Sequence, residues 1–237
     1  MNNIDEISKF TDTDAIKIFK HVHRQLGFYK NPDIDTNRTY TDYYVSPARE
    51  IDGYSRYRAI LNDCYLYGRK NLKTLAGIIV TLPRDVEAGG NHEHTFFHEA
   101  YNFLNQRYCG EDHCCSAIVH CDESGQPHMH YLFVPTVRLA EEKHGKQWKV
   151  CASDVLSRDS YYTLHQDMQA YLDTHLDFHA TVASGITHAQ GGNRTVRELK
   201  NEKTREREER EKRIARTQQH VNRWERAERE REERGRW

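Results

Sequence analysis

The sequence predicts an α+β fold in which a central antiparallel β-sheet is flanked by helices and a charged helix forms the C-terminal end. Amphipathic helical stretches alternate with short β-like runs. Two of those runs, 114–121 and 128–137, are separated only by DESGQP. So short a link joins antiparallel neighbours, because a parallel pair needs a crossover of roughly a dozen residues or more. From residue 193 onward nearly every position is Arg, Glu, Lys or Gln, which reads as a solvated helix outside any core.

Ile4, Ile7 and Phe10 give a weak strand signal. From Asp12 to Leu26, apolar residues at Ala15, Ile16, Phe19, Val22 and Leu26 follow a helical period, with Asp12 or Thr13 as N-cap and Gly27 as stop. A polar connector, NPDIDTNR, leads into Thr39–Val45, whose Tyr and Thr content predicts a strand ending before Pro47. The pattern of Tyr54, Tyr57, Ile60, Leu61, Cys64 and Tyr65 is helical through Tyr67. LAGIIVTL, Leu75–Leu82, reads as a buried strand stopped by Pro83, and Asn91–Tyr108 as an amphipathic helix carrying Phe97, Ala100, Phe103 and Leu104 on one face. After the two adjoining strands, HGKQWKVCASD gives a turn and a short strand, and Ser157–Leu176 a helix. Small residues between Ala180 and Asn193 predict a loop.

A chain of 237 residues accommodates one domain of ordinary size, about 100–150 residues or somewhat more, plus an appendage. We place the domain at 1–192 and the helical extension at 193–237. The net charge of −1 hides an asymmetry: residues 193–237 hold 16 Lys/Arg against 11 Asp/Glu, leaving the tail at +5 and the rest at −6. A domain of that charge binds nucleic acid through a local groove, with salt-sensitive affinity. No apolar run approaches the ~20 residues of a spanning helix, and MNNIDEISKF lacks the basic-then-apolar pattern of a signal peptide. A cytoplasmic location is expected, with the six cysteines reduced and no CxxC zinc pair among them.

The richest segment is AIVHCDESGQPHMHYLFVP, residues 117–135. Strand residues two apart share a face at a spacing of ~6.5–7 Å, so His128 and His130 point the same way, while Met129, Tyr131 and Phe133 face the other. A hairpin return through Gln126 and Pro127 brings His120 beside them. Three neutral imidazoles with open positions suit a catalytic divalent-metal site. A single strand histidine is more often packing, and a zinc site recruiting Cys121 or His113 is the alternative arrangement.

The string HCDESGQPHMHYLFVP resembles the third motif of the Pre/Mob (MobV-type) relaxases of the HUH endonuclease superfamily, with one extra residue between Glu123 and His128. FKHVHR at 19–24, NPDIDTNR at 31–38 and DYY at 42–44 resemble the family's N-terminal motifs in the same order. DVLSRDSYYTLHQDMQAYL and GGNRTVRELKNEK resemble its later region. The resemblance implies an HUH-type fold and strand-specific DNA nicking at an origin of transfer by transesterification, with Mn²⁺ or Mg²⁺ on the histidines. It also implies single-stranded or hairpin DNA as partner, conjugation coupling machinery as a further partner, and dimerisation through the C-terminal region.

By the same resemblance the nucleophile is His21, with Tyr43 and Tyr44 as rivals standing where the family has a tyrosine. Attack by a neutral imidazole needs an acceptor for its other proton, a part that falls to Glu123 unless that carboxylate only orients a ligand histidine. His23 lies ~200° round the helix from His21 and faces elsewhere. Arg24, three residues on from His21, shares its face and is expected to steady a phosphate. Arg38 is either a DNA-backbone clamp or a surface residue, and Tyr44 belongs to a YTDYY stretch that offers stacking surfaces. Rolling-circle initiation, transposition and regulation without cutting are the competing functions.

Overall fold

The computed structural model describes residues 4–182, apart from Lys30, Ala48 and Arg49, together with Thr204, Arg205, Glu211, Lys212 and Ile214. The chain divides into two units, Met1–Gly185 and Ile186–Trp237. The expected charged helix over 193–237 and most of the loop expected before it lie outside the described residues.

A five-stranded sheet organises the first unit. Its strands are β1 (Ile4–Thr11), β2 (Tyr43–Tyr44), β4 (Lys73–Thr81), β5 (Cys114–His120) and β6 (His128–Phe133), in the order β1-β4-β6-β5-β2. All of these pairs are antiparallel, and β6 sits at the centre between β4 and β5. A smaller sheet joins β3 (Cys64–Tyr65), β8 (Lys146–Val150) and β7 (Thr136–Lys143).

Alternation along the strands divides the core into two faces. On one, Ile78, Val80, Ala117, Val119, Met129, Tyr131 and Phe133 pack beneath α3 (Asn91–Arg107) and α5 (Arg158–His175), against Phe97, Ala100, Leu104, Met168 and Leu172. On the other, Leu75, Ile118 and Leu132 meet Ala15, Phe19 and Val22 of α1 (Asp12–Val22) and Tyr57, Ile60 and Leu61 of α2 (Gly53–Asn62). No helix among the described residues is long and apolar enough to cross a membrane.

Several boundaries differ from expectation, each for a local reason. The first helix begins at Asp12 as expected, but its N-cap is Thr11, whose N–H donates to the Asp14 carboxylate, and it stops at Val22 instead of Leu26. It stops because the backbone at Arg24 turns left-handed, at φ 53°. Of the expected strand Thr39–Val45, the first three residues end a 3-10 turn, Thr36–Thr41, N-capped by Asp35, and only Tyr43 and Tyr44 pair. The helix expected through Tyr67 ends at Asn62, with Cys64 and Tyr65 paired to β8. The run 128–137 breaks at Val134–Pro135 and continues in the second sheet as β7.

Candidate metal and nicking centre

The direct pairing of β5 with β6 places His120 opposite His128 and Ile118 opposite His130. All three imidazoles thus emerge on the α1/α2 face at one end of the sheet, separated by ring-centroid distances of 5.4, 4.5 and 5.1 Å. Their ligand nitrogens lie within 4.8 Å of one another. Small ring movements suffice to bring them to the ~2.0–2.2 Å bonds of one ion.

The donor chemistry fits a metal. His120 Nε2–H donates to the Val22 carbonyl at 2.8 Å, so Nδ1 carries the lone pair, which accepts from Arg24 Nη2 at 3.0 Å and must be released from it for Nδ1 to bind an ion. Burial holds His120 down to about 3 and His130 well below the usual histidine value, keeping both neutral. His130 Nε2 is buried with no hydrogen-bond partner, a state that usually signals a missing ligand. The alternative zinc site is not assembled: the Cys121 thiol points to Glu93 on the other side of the sheet, and His113 bonds the Cys109 carbonyl.

Around the triad the acidic turn is held by a short bridge. Asp35 N–H donates to the Asp122 carbonyl and Ser124 N–H to the Asp33 carbonyl, with Ile34 bridged to Glu123. This gives the NPDID segment its purpose, which is to fix the turn between β5 and β6. Asp122, wholly buried, takes Arg24 Nε and Nη2 at 2.8 and 2.6 Å and the Thr39 hydroxyl at 2.9 Å. Burial pushes its carboxyl up, but Arg24 and Thr39 outweigh it and the carboxyl lies below its usual range.

Arg24 does not occupy the position its sequence spacing suggested. It lies beyond the end of α1, its side chain 4% exposed, and its Nη2 also donates to Glu123 Oε1 at 2.9 Å and His120 Nδ1 at 3.0 Å. Its guanidinium is committed to the turn instead of facing outward for a phosphate. Asp42, 3.7 Å from Arg24 Nε, accepts from Cys121 N–H, and burial lifts its carboxyl to about 6. Asp122, Asn31, Thr39 and Asp42 escaped sequence reasoning as parts of the site, because their importance arises from contacts between distant segments: Asp122 and Asp42 flank the buried Arg24, Thr39 bonds Asp122 and Asn31 bonds Glu123.

Glu123 Oε1 stands 4.0 Å from both His120 Nδ1 and His128 Nε2, and Oε2 accepts from Asn31. Its carboxylate therefore faces the triad. His21, in the last turn of α1, places its ring 6.5 Å from that of His130 and 6.0 Å from Tyr29. Burial and then Arg24 lower its pKa against the opposing pull of Glu123, leaving a neutral ring at pH 7. Among the described residues no hydrogen bond joins His21 directly to Glu123.

Tyr43 is not brought to this centre. Its pairing with Val119 turns it toward the α3/α5 core, where its hydroxyl donates to the buried Glu93 at 2.8 Å and its phenol is pushed far above the usual range by burial and Glu93. Tyr44, opposite Ile118, lies on the triad's face and is 62% exposed, hydrogen-bonded to His23 at 3.0 Å. Arg38 is exposed, with Nη2 donating to the Cys121 carbonyl at 2.8 Å.

Several known proteins share this fold and sequence. The MobM relaxase domain (MOBV; Mob_Pre), solved Mn-bound with plasmid pMV158 oriT DNA, superposes with a TM-score of 0.64 at 24% identity, covering 83% of this chain and 96% of that one. Plasmid recombination enzyme type 3 of Staphylococcus aureus is 34% identical over 138 residues, which are 56% of this chain and 32% of that protein. Plasmid recombination enzyme of Streptococcus agalactiae is 26% identical over 191 residues, 77% of this chain and 35% of that protein. The chain thus spans about a third of the length of the curated relatives it matches. The family model Mob_Pre, described as plasmid recombination enzyme, matches residues 1–209. The expected α+β architecture, an antiparallel sheet flanked by helices, is borne out and matches the MobM relaxase fold, and the chain belongs to the Mob_Pre family of plasmid recombination enzymes.

Proposed function

We propose that the chain is a relaxase domain that cuts one DNA strand at an origin of transfer and remains covalently joined to the 5′-phosphate. The observation that carries this reading is the neutral ring of His21 beside a three-histidine cluster, in a chain of this family. The fold it shares with an Mn-bound relaxase solved on oriT DNA supports the same choice of metal and substrate.

His120, His128 and His130 hold the divalent ion, Mn²⁺ or Mg²⁺. When bound, it polarises the scissile phosphate as a Lewis acid and a template. The His21 imidazole attacks phosphorus: a P–N bond forms, the bond to the 3′-oxygen breaks, and that oxygen leaves as a hydroxyl by taking up the proton that the imidazole ring sheds through a carboxylate. The second ring proton passes to a carboxylate, for which Glu123 is the candidate, and the phosphoramidate keeps the bond energy for resealing. Arg24 keeps Glu123 and Asp122 in place, Arg38 offers its remaining N–H groups to the DNA backbone, and Tyr44 offers its exposed face to an unpaired base.

The catalytic domain is assigned to 1–192 and the charged segment 193–237 to DNA or partner contacts, including coupling machinery or a second copy. A cytoplasmic setting suits a DNA substrate. Incubation of the chain with a labelled origin oligonucleotide and Mn²⁺ should leave a denaturant-resistant protein–DNA adduct that a chelator prevents. A labelled strand that shifts on a native gel yet yields no adduct would make the protein a regulator that does not cut.

A further inference from the structure

A cavity of about 460 Å³ opens on the triad's face of the sheet, lined by residues that include His23, Tyr44, Glu50, Asp52, Gly53 and Ser116. Ser116 stands four residues before His120 on β5, ~13 Å along the strand, so the cavity borders the nicking centre. Ser116 is 2% exposed, yet its hydroxyl has no hydrogen-bond partner, and His23 Nε2 is likewise buried and without one. Leaving such groups unpaired is costly, so two of them at one cavity call for a ligand that hydrogen-bonds.

Three further features define that ligand. A Cβ at Gly53 would come within 3.0 Å of His23 Nε2, so the glycine leaves the space beside that nitrogen open. The Tyr44 ring, tied at its hydroxyl to His23 Nδ1, is a fixed and largely exposed stacking platform. Charge disfavours a phosphate: among the described residues the lining includes Glu50 and Asp52 but no Lys or Arg. Asp52 is occupied in capping α2, through Tyr54 N–H and the N–H and hydroxyl of Ser55, whereas Glu50 is exposed. A neutral, planar group with N–H donors suits such walls.

We propose that this cavity takes one unpaired nucleobase of the strand being cut, stacked on Tyr44 and read at its edge by Ser116, His23 and Glu50. The assignment rests on the nicking reading above. The base is held out of the stack while its neighbouring phosphate lies at the triad, so the cavity contributes to the choice of nick position.

The test uses the full chain with Mn²⁺ and single-stranded origin oligonucleotides in which one base at a time is replaced by an abasic site. At one position near the nick the wild-type chain should lose ~10-fold or more in affinity, the scale of stacking one base on an aromatic ring. Ser116→Leu, which fills the cavity, and Tyr44→Ala, which removes its wall, should each reduce that loss to about two-fold or less. The two variants act on different strands, β5 and β2, so failure of one to fold leaves the other to decide. Adduct formation with no base-sensitive position, or with the same sensitivity in a folded variant, would overturn the cavity assignment alone. Absence of any adduct on the unmodified strand would overturn the nicking reading and the cavity with it.

Discussion

Arg24 joins three carboxylates and a candidate metal ligand from a position that is almost wholly buried. Removing one partner of such a network leaves uncompensated charge in the interior, which typically costs on the order of 3–5 kcal/mol. Arg24→Ala should lower unfolding free energy on that scale in urea titrations, and a loss below about 1 kcal/mol would mean the network is solvated like a surface pair. Histidine burial sets a second expectation. In the folded, metal-free chain His120 is held down to about 3 and His130 well below its ordinary value, whereas in the unfolded chain both titrate at ~6.5. From about pH 6.5 down to about 3 the unfolded chain binds more protons, so stability falls with pH across that window. Thermal melts in chelator should lose Tm between pH 7 and 5, and His120→Gln should flatten the slope; a Tm rising on acidification would contradict this origin.

At the scale of elements, β5, β6 and the helix α3 were legible because their apolar period is regular and long. The three candidate ligand histidines were legible for the same reason, since strand alternation alone puts His128 and His130 on one face. The 31–42 region was not: its Tyr/Thr content favours a strand, but Asp35 caps a 3-10 turn and Thr39 is drawn to Asp122, so tertiary contacts override propensity. The choice between Tyr43 and Tyr44 was equally closed to sequence, because it depends on which β5 residue each pairs with. The bridge between 31–35 and 122–124 is the element that orients the site. Asp35→Pro removes the N–H given to the Asp122 carbonyl, and Mn²⁺ affinity should drop by roughly 10–100-fold, measured by calorimetry with helical circular dichroism unchanged. Undiminished affinity would mean the turn holds its shape without the bridge.

For the whole molecule, residues 1–192 carry a net charge of −6 and 193–237 one of +5, and under the proposed function the first would position a strand and the second attract it. A chain ending at residue 192 should still form the adduct while showing weaker binding and a shallower dependence of log affinity on log salt, since fewer phosphate contacts release fewer counterions. An unchanged salt slope would exclude the charged segment from DNA contact. The whole arrangement, with His21 beside the triad and Tyr43 turned into the opposite core, converges on one bond. Mass spectrometry of the proteolysed protein–oligonucleotide adduct locates that bond: the expected product is an acid-labile phosphoramidate on the peptide containing His21, lost in His21→Ala and retained in Tyr43→Phe. A phosphotyrosine linkage at Tyr43 or Tyr44 would contradict the histidine assignment outright.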